Sequence, residues 1–486
     1  MPTIALDTRR RIDAIDPLIY GNFIEHLGRC IYGGVYDPGS PLADANGFRK
    51  DVIEASRRLK VTNVRWPGGN FVSGYHWMDG IGPREERPKR MELAWNTVET
   101  NQFGTDEFIQ WCRAVPTDPF ICINMGSGTM DEAQAWVEYC NGKEDTHYAN
   151  LRRQNGHAEP YGVKLWGLGN EVSGGWQIGR KTAERYAEEA LEFAKVMKRT
   201  DPEIKLIACG SCQQIAEEMD WNRTVVETLA DIAEYLSIHM YVSNREDNYA
   251  NYMGTSVHIE RYLQTVRGII AGAGYHAKGA SRMKVCFDEW NATPTTHQDE
   301  PHMGLYTLED ALVVGMFLNA FIRNADLVKI ANMAQLVNVI PPMVTKPDGM
   351  FLQTIFFPLE LYANHNGSVA LDAHADCETF ESEKYGKVPC LDVSASFDPQ
   401  DSMVTVNMIN RDKDRVAPVT LGVGPGSFAG TATLHEVTGD GPKATNSFEE
   451  PANVATGMRE IEVKGADAEL ELAPSSVTVL KARLGS

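Results

Sequence analysis

The sequence predicts an α/β protein, a (β/α)8 barrel carrying an all-β, jelly-roll-like sandwich. Three observations predict it. Between residues 18 and 337, short β-type runs alternate eight times with helical stretches; parallel strands need crossover helices, and an eightfold repeat closes on itself. No Gly-rich phosphate turn follows the first strand, where Tyr20-Gly21-Asn22-Phe23 stands, which argues against the rival doubly wound open sheet. After about residue 365 the texture changes to short strands separated by turn clusters at 410–414, 424–430 and 439–442, the signature of a sandwich.

The predicted barrel strands are 18–25, 61–66, 119–125, 163–168, 204–209, 235–241, 283–289 and 327–336. The predicted helices between and after them are 48–60, 105–115, 131–141, 181–199, 223–233, 257–273, 307–324 and 352–363. Each helical stretch places apolar residues at i, i+3, i+4 and i+7 spacings, as in Leu191, Ala194, Val196 and Met197 after Tyr186 and Ala190. Several open on capping residues, such as Thr105 and Thr307. Sandwich strands are expected at 390–397, 403–409, 419–423, 432–437 and 476–482. Thr3–Asp7 has no helix after it and is assigned to the second domain, so the expected division is 15–365 for the barrel and 1–14 plus 366–486 for the sandwich.

The totals exclude partners more than they identify any. A net charge of -20 over 486 residues repels nucleic acid and anionic lipid, and it suits a neutral ligand such as a sugar. The apolar run at the N-terminus is too short for a signal-peptide core, and no stretch reaches the length of a membrane span. Nine cysteines without a framework spacing favour a reducing, cytoplasmic setting. Cys209 and Cys212 form a C-x-x-C without the second pair that a zinc site needs, and are read as structural.

Barrel enzymes carry their chemistry at the C-terminal ends of the strands. Here those ends hold Glu25-His26, Arg65 through Asn70, Asn124, Asn170-Glu171, His239 and Tyr241, Asp288-Glu289, and Gln335. Any one of them is read blandly with ease: a strand-end Glu as a solvated residue, His239 as a satisfied histidine, Trp66, Trp77, Trp176 and Trp290 as packing. Their joint occurrence on successive strands is the signal. Two carboxylates from different strands meet the requirement for glycosidic cleavage, one donating a proton to the leaving oxygen and one attacking the anomeric carbon. Glu171 and Glu289 are the candidates, expected about 5 Å apart for retention. Asn170 is placed to bind a sugar hydroxyl, Tyr241 to hydrogen-bond Glu289, and Glu25 to grip the sugar. Crowding of carboxylates is expected to raise the pKa of the least solvated one, which would favour a general acid.

The segments IYGNFIEHLGRCIYGGVYDP, VRWPGGNFVSGYHWMDGIGP, KLWGLGNEVSGGWQIG, SIHMY, VCFDEWN and ANMAQLVNVI resemble those of α-L-arabinofuranosidases of glycoside hydrolase family 51, and the similarity runs over nearly the whole chain. The resemblance implies a retaining exo-enzyme releasing terminal arabinofuranosyl units from arabinan- or arabinoxylan-type oligosaccharides. It implies Glu171 as acid/base and Glu289 as nucleophile. Glu25, Asn70, Asn170 and Gln335 would bind the furanose, with His239 and Tyr241 supporting the catalytic pair. No metal or cofactor is implied, and the family habit is an intracellular homo-oligomer, often a hexamer. The chain departs from the pattern at residues 172–175, 211–214 and 292–294, loops around the mouth, so the resemblance does not extend to leaving-group specificity. Three alternatives stay open at this point: a related glycosidase acting on another furanoside or on β-glucan or xylan, a metal-dependent barrel using Glu25, His239 and Glu289, and a sugar-binding protein without catalysis.

Overall fold

The computed structural model describes residues 2–295 and 304–485. Eight parallel strands close into a barrel: Gly21–Phe23, Asn63–Trp66, Asp118–Cys122, Leu165–Leu168, Lys205–Ala208, Tyr235–Val242, Lys284–Ala292 and Val328–Ala334. They follow chain order around the circle, and the eighth pairs with the first through Asn332–Gly21 and Ala334–Phe23. Each is followed by a helix at or near its expected position, so the eightfold alternation is a barrel as predicted.

The differences are local. The first strand is only three residues long, because Asp16 accepts a bond from the Leu18 N–H and caps a short 3-10 turn, Pro17–Tyr20. Proline at the first position of that turn pre-sets its φ. Glu25 therefore stands two residues beyond the strand, in the loop. The fifth helix is Ala216–Leu229, shifted toward the N-terminus from the expected 223–233, with Glu217 and Glu218 in its first turn. Two further helices, His147–Gln154 and Tyr249–Met253, lie in loops. The first of these buries only Ala149 and Arg152, so it has no apolar stripe for periodicity to detect.

The seventh helix, Leu308–Arg323, is buried from Leu308 to Ile322. It is buried all round because the barrel covers one side and the C-terminal sheets the other. Gly315 allows that approach: a β-carbon there would stand 2.9 Å from Ile409 Cδ1. Asp392 of the C-terminal region accepts a 2.7 Å bond from Arg323 at the end of this helix.

The C-terminal region is a four-stranded sheet facing a seven-stranded one. Ile4, Leu6, Val419 and Leu421 of the first meet Val393, Val404, Leu434 and Leu480 of the second in one apolar core. Thr3–Asp7 pairs antiparallel with His374–Asp376 and parallel with Ala417–Gly424. Five strands beyond those expected complete the sheets: Ala455–Gly465, Asp467–Leu472, Arg11–Ala14, Val369–Leu371 and His374–Asp376. The first of them is an edge strand that buries only Val463, so its hydrophobic alternation is faint. Between residues 438 and 455 this region reaches back to the barrel: the Lys443 ammonium lies 2.7 Å from Glu309 and Phe448 packs edge-on against Phe351.

Candidate active site

The fourth strand ends in Gly169-Asn170-Glu171, and the backbone there turns sharply, Glu171 itself sitting at φ +43°. A non-glycine residue in the left-handed region costs about 1–3 kcal/mol and is held by its surroundings. Those surroundings are visible. Glu171 O accepts from Gly174 N, and the next N–H, that of Val172, reaches the buried Cys209 sulfur at 3.5 Å. Trp176 Nε1 donates to Glu171 Oε2 at 2.8 Å, and His239 Nδ1 donates to Oε1 at 3.0 Å.

Glu289, on the seventh strand, receives Tyr241 Oη–H at 2.7 Å and Arg65 Nη1 at 2.9 Å. An oxygen of Glu171 and one of Glu289 lie within 4.8 Å of each other, with His239 Nδ1 3.6 Å from the second. Arg65, which is 1% exposed, is the hub. Besides Glu289 it donates to Asn170 Oδ1 at 2.5 Å and pairs with Asp288 at 3.2 Å. Asp288 also receives the Ser237 hydroxyl and faces His239 Nε2 at 3.4 Å. Burial would raise Asp288; the Arg65 charge and the His239 bond hold it below the ordinary value instead.

The glycone side is built on Glu25, which accepts from Phe71 N at 3.1 Å, Trp95 Nε1 at 3.3 Å and Gln335 Nε2 at 3.0 Å. Gly68 and Gly69 are required here, because a β-carbon at Gly69 would collide with the Glu25 carboxylate. Burial, reinforced by the Glu289 charge and offset in part by the Phe71 bond, pushes Glu25 up to about 8. The carboxylate that crowding raises is thus Glu25. Glu171 goes the other way: burial would raise it, but the adjacent His239 imidazolium holds it below the usual carboxylate range. His239 is itself pushed up to about 10, burial being outweighed by Glu289 and by hydrogen bonds to Asp288 and Glu171.

The expected site residues therefore converge. Glu171, Glu289, His239, Tyr241 and Asn170 form one network through Arg65, Glu25 and Gln335 form a second at the same mouth, and Asn70 opens the turn Asn70–Gly74 between two residues packed on Glu25. Two buried polar atoms in these networks lack protein partners, Asn170 Nδ2 and Gln335 Oε1. Other strand-end residues do not join. Asn124 uses its side chain to build its own loop, bonding Tyr75 O, Gly126 N and Ser127 N. His26 is enclosed between Glu99 and Trp66 Nε1. Trp66, Trp77 and Trp290 are buried packing, whereas Trp176 is 51% exposed beside Glu171.

Trp95 is missing from the sequence-derived site, and Arg65 and Asp288, though counted among the strand-end residues, are given no role there. Arg65 had a signal: an arginine within a buried apolar strand demands a carboxylate partner. Trp95 lies in LAWNTVETNQFGTDEF, a segment of the family resemblance, but nothing in residue order places it at the mouth, since a hairpin of Arg90–Glu92 with Thr97–Glu99 brings it in from a loop. Glu171, His239 and Glu289 form the one grouping with metal-ligand spacing found among the described residues. Both nitrogens of His239 face carboxylates, and as an imidazolium it has no lone pair to offer a cation.

The state of Glu25 has a measurable consequence. A carboxyl raised from 4.5 to about 8 keeps its proton in the folded chain over a range where the unfolded chain loses it. Its contribution to stability falls as pH rises through that window, by up to about 1.4 kcal/mol per pH unit. Glu25→Gln removes this titration, so its melting temperature relative to wild type is expected to climb between pH 5 and pH 8. Parallel curves for the two proteins would mean that Glu25 is ionised at neutral pH.

A barrel that presents two carboxyl groups this close, one beside an imidazolium and one beside a guanidinium, defines a glycoside hydrolase of the double-displacement kind. Comparison with known proteins gives the family. Residues 55–257 match the α-L-arabinofuranosidase 1 domain and residues 288–476 the α-L-arabinofuranosidase C-terminal domain. The chain is 44% identical over 470 residues to α-L-arabinofuranosidase C of Emericella nidulans, covering 92% of this chain and 91% of that protein. It is 42% identical to the intracellular exo-α-(1→5)-L-arabinofuranosidase of Halalkalibacterium halodurans, covering 92% of each. The thermostable GH51 α-L-arabinofuranosidase of Thermotoga petrophila superposes with a TM-score of 0.92 at 40% identity, over 99% of this chain and 100% of that one. The chain belongs to the family 51 α-L-arabinofuranosidases.

Proposed function

We propose that this glycosidase releases terminal non-reducing α-L-arabinofuranosyl units from arabinan- or arabinoxylan-type oligosaccharides, with Glu289 as nucleophile and Glu171 as acid/base. The observation that carries the roles is the asymmetry of the pair. Each carboxylate is met by two donors, but those of Glu289 include the buried Arg65 guanidinium, whereas those of Glu171 are Trp176 and His239. Glu171 stands beside the exposed Trp176, on the side open to a leaving group. The separation within 4.8 Å supports retention, because an inverting pair needs about 6.5–9.5 Å to admit water. Glu289 attacks the anomeric carbon while Glu171 protonates the departing oxygen; Glu171 then activates the water that hydrolyses the ester. Asn170 Nδ2 and Gln335 Oε1, without protein partners, are read as contacts to furanose hydroxyls, with Glu25 and Asn70 beside them.

Exo-action and a preference for α-(1→5) links are carried over from the Halalkalibacterium relative's name. A cytoplasmic location is supported by the same name and by the nine free cysteines; no helix among the described residues is long and apolar enough to cross a membrane. The homo-oligomer, a hexamer by family analogy, and the division of the chain at 15–365 and 1–14 plus 366–486 belong to the same reading.

A panel of 4-nitrophenyl glycosides tests it. The α-L-arabinofuranoside is expected to be turned over, and the β-D-xyloside and β-D-glucoside to be turned over far more slowly. Asn170→Ala and Gln335→Ala should each lower kcat/KM by about 10²-fold, the scale for a hydrogen bond that strengthens in the transition state. Unchanged kinetics in both variants would show that the furanose binds elsewhere.

A further inference from the structure

The site poses a question about its own proton. An acid/base must hold a proton when the leaving oxygen needs it, yet Glu171 is flanked by a cation that favours its ionised form. The proton nearest to it is on the neighbour. His239 Nδ1 stands 3.0 Å from Glu171 Oε1 and 3.6 Å from Glu289 Oε2, between the two carboxylates. On the ring's other side Nε2 faces Asp288 at 3.4 Å, and Asp288 is in turn fixed by Ser237 and Arg65. His239 is 2% exposed, its N–H is bonded to Ser211 O, and its carbonyl accepts from Gln214 Nε2. The imidazole is held on a short path between the groups that react.

Resting on the reading of Glu171 and Glu289 given above, we propose that His239 holds the proton that Glu171 delivers. In the free enzyme it sits on His239 Nδ1. It passes to Glu171 Oε1 as Glu289 loses its charge to the anomeric carbon, and it returns when the glycosyl ester is hydrolysed.

The electrostatics couple the two events. Three carboxylates face the ring: Glu171 after the fourth strand, and Asp288 and Glu289 on the seventh. Glu218, on the helix after the fifth strand, adds a fourth negative group at longer range, while burial keeps the nearby Cys212 thiol protonated and neutral. Arg65 opposes them, but it is already paired with Asp288 and Glu289. The Glu289 charge, with Asp288 and Glu171, favours a charged His239. When Glu289 becomes an ester, its influence disappears and the proton is released toward Glu171.

The protons balance. In the first half, the Nδ1–H bond breaks with its electron pair left on nitrogen, and an O–H bond forms on Glu171. That proton moves to the glycosidic oxygen as the C–O bond to the leaving group breaks, its electron pair going to oxygen. In the second half, Glu171 takes a proton from water as the water oxygen attacks the anomeric carbon. The ester bond breaks with its electrons returning to Glu289, and Glu171 passes the proton back to Nδ1. His239 acts through Glu171 without touching the sugar, so it is a positioning residue.

Two measurements test this. His239→Gln keeps a hydrogen-bonding side chain without a titrating proton. Its kcat for an alkyl arabinofuranoside, which needs protonation of the leaving group, is expected to fall roughly 10²-fold. The burst with the 2,4-dinitrophenyl arabinofuranoside, which needs none, should fall far less, and the alkaline limb of kcat/KM should move at least one pH unit toward acid. Equal losses on both substrates with an unmoved alkaline limb would overturn the proposal. Wild-type enzyme supplies the second readout: 15N-histidine NMR, with His239 assigned by difference from the variant, before and after trapping with a 2-deoxy-2-fluoro-arabinofuranosyl fluoride. His239 is expected to be doubly protonated at pH 7 in the free enzyme and to titrate at least one unit lower in the trapped form. A neutral His239 in the free enzyme, or no change on trapping, refutes it. Mass mapping of the trapped residue separates the two readings: a label away from Glu289 overturns the carboxylate assignment, whereas a label on Glu289 with an unresponsive His239 overturns only the proton path.

Discussion

Glu171→Ala is expected to slow hydrolysis of unactivated arabinofuranosides by about 10²–10⁴-fold, the usual worth of a positioned proton donor. With a good leaving group, Glu289 remains free to attack, so the glycosyl-enzyme should still form and then stall, because no base activates water. Azide needs no base. It should restore turnover and give an arabinosyl azide of retained configuration, after two displacements. Glu289→Gly should lose activity on every substrate, by about 10⁴-fold or more, as enzymes do without their covalent nucleophile. Any azide formed there arises from one displacement and should be inverted. NMR of the two azides thus assigns the roles independently of rate. The opposite pattern would exchange the two glutamates, and activity surviving both substitutions would remove the two-carboxylate mechanism.

Arg65→Met carries the second large effect. The guanidinium is buried and satisfies three partners, Glu289, Asp288 and Asn170. Removing it leaves two carboxylates close together in a poorly solvated place, and breaking a buried pair in this way costs about 3–5 kcal/mol. The pH dependence has a definite sign. Asp288 is held below its ordinary 3.8 in the folded chain, so it contributes stability above that value and loses it as pH falls through the folded pKa. Without Arg65 much of this contribution goes, and the variant should unfold at higher pH than wild type during acid titration. Turnover should fall by about 10²–10³-fold as Glu289 loses a fixed donor and Asn170 its anchor. Denaturant unfolding at pH 7 and at pH 4, with kinetics on the aryl arabinofuranoside, measures both. Wild-type stability in Arg65→Met would mean that the carboxylates find another counter-charge.

Much of this protein was legible in its sequence because the determinants are local and periodic. Apolar strands alternating with amphipathic helices fix a barrel, and the closed barrel then puts every strand end on one face. That is why Glu171 and Glu289, far apart in the chain, could be paired as candidates with Glu25, Asn170 and Tyr241 beside them, while the choice of Asn70, His239 and Gln335 from the other strand-end residues rested on the family resemblance. Elements with weak periodicity were not legible: the polar helix His147–Gln154 and the edge strand Ala455–Gly465 bury too little to leave a pattern.

What only the tertiary structure decided is how the site is charged. Sequence presents Glu25 and Glu171 as similar acids at similar strand ends, yet the fold drives them apart. Burial away from any paired cation lifts Glu25 to about 8, while His239 at 3.0 Å holds Glu171 low. Arg65 reads as one residue of a strand until its three partners arrive from the fourth and seventh strands. The hairpin that brings Trp95 to Glu25 has no periodicity to announce it. A residue's chemistry is a property of its type, but its ionisation depends on solvent and on charges brought near by the whole chain, and those are distances that residue order does not contain.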